Sequence, residues 1–224
     1  MENALKYLFA LKENNDREWY HAHKKQYLEA NAEFEQLVEK LIISIGKFDS
    51  SIVNNIPKEL TFKLVRDTRF SSNKAPYNPK FRAHISSKGK LPIPVGYFIS
   101  ITPGNHSFLG GGLFASMFKD ATTMVRDYIV VHGDELDAIV KDKNFSSLFT
   151  IKGEALKNVP RDYNETHPQA EYLKFKSWYL EYPISDSFIL SNEFVDKAAN
   201  LFLAMKPFND YLNAALKNFK MPTR

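Results

Sequence analysis

An α+β fold is predicted, a single antiparallel sheet with N-terminal and C-terminal helices packed on it. Three observations predict it. Apolar residues recur at helical spacing near both ends of the chain, over residues 4–45 and 191–219. Between them lie short alternating runs set apart by Gly, Pro and Asn, the pattern of strands joined by turns. No internal repeat or low-complexity linker interrupts the 224 residues, so residues 1–224 read as a single α+β domain.

The first helix is expected over residues 4–12, with Leu5, Leu8, Phe9 and Leu11 inward. Asn14-Asn15-Asp16 breaks it and supplies N-cap candidates for a second helix over residues 17–45. Trp19, Tyr20, Tyr27, Phe34, Leu37, Val38, Leu41 and Ile45 give that helix its apolar face, and Trp19 and Tyr20 read as core. Residues 60–66 alternate as a half-buried strand, with Phe62, Leu64 and Arg66 on one face and Lys63, Val65 and Asp67 on the other. Residues 80–86 form the next strand, followed by a turn at 87–90. Residues 95–102 and 106–114 pair as a hairpin across Pro103-Gly104-Asn105. These make a sheet of about four strands. Helices over 116–131 and 134–141, a strand over 145–151, a polar loop over 159–168 and a further strand within 176–184 come next. A helix capped by Ser191 then runs to Met205, and Pro207 separates it from a last helix.

Composition bounds the function. A content of 44% hydrophobic residues is globular, and no disordered tail of low hydrophobicity is visible. A net charge of +4 suits an anionic ligand but is too small to imply nucleic acid by itself. There is no cysteine, which excludes disulfides, thiolate catalysis and zinc-thiolate sites. His21 and His23 fall on different helix faces, and His84, His106, His132 and His167 are scattered, so no metal site is expected. No signal peptide and no apolar run of membrane-spanning length is read, so a soluble, cytoplasmic protein with no membrane partner is expected.

The densest chemistry lies in residues 66–77, Arg-Asp-Thr-Arg-Phe-Ser-Ser-Asn-Lys-Ala-Pro-Tyr. Three of the seven arginines fall between residues 66 and 82, whereas the lysines are spread along the chain, which points to a local anion site. Arg69 and Lys74 could converge on an anion, the first as a planar fork and the second as a point charge. Ser71 and Tyr77 would add hydroxyl groups, and Gly110, Gly111 and Gly112 would offer backbone amides near a helix start. Asp67, Glu18 and His167 are the acid/base candidates, with Asp67 and His167 preferred. Ser71 to Lys74 matches the serine-lysine acylation pattern formally, but its partner motifs are missing and no nucleophilic role is expected. Glu18 and Asp67 are expected as internal counter-ions for Arg17 and Arg66, which would leave Arg69, Lys74 and Tyr77 free for the ligand. An Arg69 engaged by a protein carboxylate would overturn that arrangement.

Two motifs carry a resemblance. Asn14-Asn15-Asp16-Arg17-Glu18-Trp19-Tyr20, with Lys24 and Tyr27 following, resembles the N-N-x-R-E-W-F opening of a bacterial and fungal family, domain of unknown function 2461. Arg66 through Tyr77 is similar to its second hallmark, R-D-x-R-F-S-x-x-K-x-P-Y. The segments Phe108–Leu113 and Pro160 to Pro168 are similar to its glycine-rich and H-P elements. The family often has Lys-Asp at Ser72-Asn73, Lys at Asn78 and Gly at Asp162, so this chain carries fewer charges in the loop. The resemblance implies a single α+β domain and brings no activity with it.

The expected function is binding, with or without turnover, of a phosphate- or carboxylate-bearing small molecule at residues 66–77. No cofactor is indicated. The alternatives are a protein-interaction module using the same loop, and a nucleic-acid binder using Arg66, Arg69, Lys74, Arg82 and Lys88 on a sheet face, with Tyr77 and Phe81 for stacking.

Overall fold

The computed structural model describes residues 1–114 and 117–222. Its one antiparallel sheet has the order β1 (Phe81–Ile85), β2 (Tyr97–Ile101), β3 (Ser107–Leu113) and β4 (Trp178–Ile184), and the fold is α+β. The helices in chain order are α1 (Glu2–Glu13), α2 (Arg17–Ala22), α3 (Lys24–Ile45), α4 (Pro57–Leu60), α5 (Lys119–Val131), α6 (Gly133–Lys141), α7 (Lys143–Leu148), α8 (Ala170–Leu173), α9 (Asp186–Ile189) and α10 (Phe194–Ala215). The chain forms two compact units. One comprises Met1–Lys90, Phe98–Leu109 and Pro183–Leu201; the other comprises Leu91–Tyr97, Gly110–Tyr182 and Phe202–Arg224.

In the first unit α1 packs on α3, and α3 packs on β1. The spacing of Leu5, Leu8 and Leu11 puts all three on the buried face of α1, with Ala4 and Tyr7. Phe9, expected inward, is exposed, because it lies about 100° round the helix from Leu8. The expected long second helix is two helices. Asp16 caps α2 by accepting from Trp19 N at 2.8 Å. His23 then leaves helical geometry and stacks its ring on Trp19, 4.0 Å between centroids. The hairpin turn forms as expected, with Gly104 and Asn105 in the left-handed region. Asp186 holds it by accepting from Gly104 N at 2.8 Å and Asn105 N at 3.2 Å.

The expected strand over residues 60–66 is not a ladder. Residue 60 ends α4, and the extended run that follows makes two isolated bridges, Thr61 to Ala83 and Val65 to Tyr77. Between them one side has three residues, 62–64, and the other has five, 78–82. The two extra residues bulge, and the bulge closes through Lys80 N donating to Asn78 O at 2.8 Å. The alternation still holds, since Leu64 is buried while Lys63 and Val65 are exposed. The fourth strand of the sheet is β4, from the run read at 176–184.

In the second unit the expected strand over 145–151 is the helix α7. Asp142 caps it by accepting from Phe145 N at 2.9 Å, and Phe145 and Phe149, four apart, are both buried. A short apolar run does not separate helix from strand by itself. The helix expected from Ser116 begins, among the described residues, at Lys119; Ser116 lies outside them. Pro207 does not end a helix either, because α10 runs through it. Pro207 and Leu203, whose carbonyl loses its partner, both lie on the exposed side, where water replaces the bond. Ser191 does not cap α10; its hydroxyl donates to Phe188 O at 2.8 Å.

Candidate anion-binding site

Residues 66–77 form a loop closed by backbone pairing. Arg66 N donates to Pro76 O at 2.9 Å, and Asn78 N donates to Leu64 O at 2.7 Å. Inside it Asp67 takes Arg69, not Arg66. Asp67 Oδ2 accepts from Arg69 Nη2 at 2.7 Å and Oδ1 accepts from Nε at 3.0 Å, and this pairing holds the Asp67 carboxyl below its usual pKa. The expected Arg66–Asp67 counter-ion pair is thereby corrected. Adjacent residues of an extended run point to opposite faces, whereas residues two apart share one. Arg66 donates instead to Ala75 O at 3.2 Å and to Ser71 Oγ at 3.3 Å. Lys74 Nζ donates to Thr68 O at 3.1 Å. Arg69, expected free, is therefore engaged by a carboxylate, and Ser71 holds Arg66. Among the described residues no ion pair joins Arg17 to Glu18; both are exposed neighbours at the start of α2.

The two sequence motifs meet at Tyr77. Asn15 Nδ2 donates to Tyr77 O at 3.0 Å, and Tyr77 N donates to Asn15 Oδ1 at 3.1 Å, so one amide side chain reads the backbone as a neighbouring strand would. The Tyr77 ring is buried and stacks on Tyr20 at 4.2 Å, which places it in the core and not on a ligand. Tyr7 and Tyr27 complete an aromatic cluster, with Lys24 Nζ 4.7 Å above the Tyr27 ring. Burial raises the Tyr7, Tyr20 and Tyr27 phenols, and neighbouring phenols add to the shift.

Beside the loop three cations collect without a counter-ion among the described residues. The register places Arg82 opposite Phe62, through Phe62 N donating to Arg82 O at 3.0 Å, and Lys80 lies in the bulge, within reach of the charges of Arg82 and Arg66. Burial, then the charges of Arg82 and Arg66, hold the Lys80 ammonium below its usual pKa. Burial also lowers Arg82, whose Nε is inaccessible to solvent and has no hydrogen-bond partner among the described residues. No ion pair among the described residues engages Arg66, Lys80 or Arg82. The Arg82 guanidinium lies 5.2 Å from the centre of the Phe62 ring. Phe98 follows at 6.3 Å from Phe62, and Phe108 at 5.7 Å from Phe98. All three rings are part-exposed, while Phe81, Ala83, Ile85, Ile99, Ile101 and Leu109 fill the buried positions of the same strands. Phe81, expected as a stacking ring, is thus core.

The other expected site residues have local partners. Gly110 and Gly111 lie buried in β3, and Gly112 N donates to Asn209 Oδ1 at 2.8 Å, so that amide is spent within the fold. Gly112 has a φ of 91°, and a Cβ there would collide with the Trp178 carbonyl and Tyr179 Cα, which explains the glycine without a ligand. His167 Nδ1 accepts from Gln169 N at 3.1 Å, which leaves Nε2–H to donate to Val130 O at 3.3 Å. Both ring nitrogens are engaged, so the histidine has no free base position. A shallow hollow of about 290 Å³, lined by Met124, Asp127, Tyr128, Val131, His132 and Ala215, has no lysine or arginine in its wall, and Glu135 already holds the His132 ring at 2.8 Å. Sequence reasoning passed over Lys80, Phe62, Phe98, Phe108 and Asn15. Parity puts Phe62 and Arg66 on one face, but the bulged register that sets Lys80 and Arg82 beside them has no local sequence signal.

Among the described residues no helix is long and apolar enough to cross a membrane. The chain belongs to the family described as conserved hypothetical protein (DUF2461), whose model matches residues 3–211. No curated protein and no solved structure matched the chain.

Proposed function

We propose that this DUF2461 member is a cytoplasmic protein that binds a phosphate- or carboxylate-bearing small molecule through Arg66, Lys80 and Arg82. One observation carries the reading: three part-buried cations stand together with no carboxylate from the described residues paired to any of them. Such charges are costly unless something neutralises them. A bound anion would do so, with Arg82 presenting a forked donor, Lys80 a point charge, and Arg66 the guanidinium hydrogens that Ala75 O and Ser71 Oγ leave free. The role is binding rather than turnover, because Asp67 and His167 are both occupied by neighbours. Titration calorimetry with inorganic pyrophosphate tests it. Lys80→Met and Arg82→Met are each expected to weaken binding by at least tenfold, whereas Arg69→Ala should change it less than threefold. Equal binding by all four proteins would refute the site.

A second reading rests on Phe70, which is 96% exposed at the loop tip. That ring could dock the loop on a protein partner. In that case Phe70→Ala abolishes co-purification of the partner without changing pyrophosphate affinity.

A further inference from the structure

The cation cluster does not end in solvent. It runs into a row of part-exposed rings, and the junction is the Arg82 guanidinium lying over Phe62. Phe98 and Phe108 continue the row, their rings inclined by only 28° to each other. A ligand that bore only a phosphate or carboxylate would leave these rings wet. Three aromatic side chains on a sheet surface need a reason, because the same positions could carry threonine or another polar residue with equal strand propensity. Rings of this kind accept a flat π-system by stacking, and an arginine plane beside them extends the platform.

Resting on the anion-binding reading, we infer that the ligand is a free nucleoside phosphate, its phosphate on Arg66, Lys80 and Arg82 and its base stacked on Phe98 and Phe108. The size of the cluster favours a free nucleotide over a nucleic-acid strand. Its three cations surround one bulge, and the basic track does not continue along the loop, where Asp67 holds Arg69 and the Thr68 carbonyl holds Lys74. A strand would need several phosphates neutralised in succession. Stacking against a base is sequence-tolerant, so the platform selects for a nucleobase as a class and not for one base.

The test compares adenosine 5′-monophosphate, cytidine 5′-monophosphate, ribose 5-phosphate and inorganic pyrophosphate by titration calorimetry. The proteins are the full chain, Phe98→Leu and Phe108→Leu, with thermal melts to show that each is folded. Both nucleotides are expected to bind about tenfold or more tighter than ribose 5-phosphate. Each leucine variant should reduce that advantage to threefold or less while leaving ribose 5-phosphate affinity as it was. Equal affinity for nucleotide and ribose 5-phosphate in the unaltered protein overturns the stacking inference and leaves the anion site standing. Failure of all four compounds, pyrophosphate included, overturns the anion site itself. A single-stranded oligonucleotide that binds a hundredfold tighter than either mononucleotide, with a steep salt dependence, overturns the free-nucleotide assignment.

Discussion

Removing the charge of Lys80 should make the ligand-free protein more stable, the reverse of what most substitutions do. The ammonium is part-buried at a bulge, with the charges of Arg66 and Arg82 acting on it and no carboxylate of the described residues paired with it. Like charges near a protein surface, at an effective dielectric of about 20, repel by on the order of 1–2 kcal/mol per pair. Exposure and salt reduce that to about 0.5 kcal/mol per pair, and two such pairs give about 1 kcal/mol. The linkage has the matching sign. A lysine whose pKa is lowered by folding binds fewer protons when folded, so stability rises with pH through the window between its folded pKa and about 10.4. Lys80→Met keeps the length of the stem and removes the charge. The expected gain of about 1 kcal/mol corresponds to about 2–4 °C in melting midpoint for a chain of this size. Urea denaturation in phosphate-free, low-salt buffer is the assay. Pyrophosphate at about 100 times its dissociation constant should then stabilise the wild type by about 2.7 kcal/mol of linkage, and the variant, binding at least tenfold more weakly, by no more than about 1.4 kcal/mol. A variant less stable than wild type by 1 kcal/mol or more would mean that Lys80 serves the fold, and the reasoning about an unneutralised cluster would fail.

Two further outcomes follow from local geometry. Gly112→Ala should cost about 3 kcal/mol or more in urea denaturation, because the backbone sits at φ 91° and the added methyl meets Trp178 and Tyr179 backbone atoms; a loss under 1 kcal/mol would show that β4 yields easily there. Raising the pH should destabilise the protein from about pH 10 upward. The Tyr7, Tyr20 and Tyr27 phenols are raised by burial, and Tyr163, which donates to Asp127 at 2.9 Å, is pushed up to about 12. Their stabilising contribution is present below the unfolded value of about 10 and is lost as pH rises through the folded values. Absorbance at the tyrosinate band should therefore lag in the folded protein relative to the protein in denaturant; superimposable curves would contradict the burial of these hydroxyls.

The elements that local rules decide were legible in the sequence, and those that register decides were not. Asp16 at a helix start and Gly104-Asn105 between alternating runs each carry their own physical cause within a few residues. The α7 segment looks like a strand in sequence because its short apolar run satisfies both periods, and only the Asp142 cap breaks the tie. Pro207 was read as a break because sequence does not reveal that the carbonyl it orphans faces water. At the site, the density of charge in residues 66–77 was visible, but its internal pairing followed parity. Arg66 and Asp67 point apart and Asp67 and Arg69 point together. Lys80 is legible only as one of many lysines, since its position depends on a bulge between two bridges, Thr61 to Ala83 and Val65 to Tyr77, that neither local pattern nor composition reveals.

That bulge exists because the pairing at Tyr77 is fixed from outside the loop. Asn15 pairs with both backbone groups of Tyr77, Tyr77 N–H and C=O, and this register sets Arg66 opposite Pro76. With the Thr61–Ala83 bridge fixed at the other end, the two surplus residues must bulge where Lys80 is, beside Arg66 and Arg82. The opening motif would then act on the ligand at a distance, as a positioning element. Asn15→Ala should lower stability by about 2 kcal/mol, the cost of two backbone groups left without their partner, and should also weaken pyrophosphate binding by about three- to tenfold, although Asn15 donates no charge to the anion. The discriminating control is Glu18→Ala, a neighbouring exposed residue with no ion pair among the described residues, which should change neither quantity. If Asn15→Ala loses stability but keeps full affinity at a temperature where it is folded, the register between Tyr77 and the sheet is not what positions Lys80, and the two motifs are joined for folding alone.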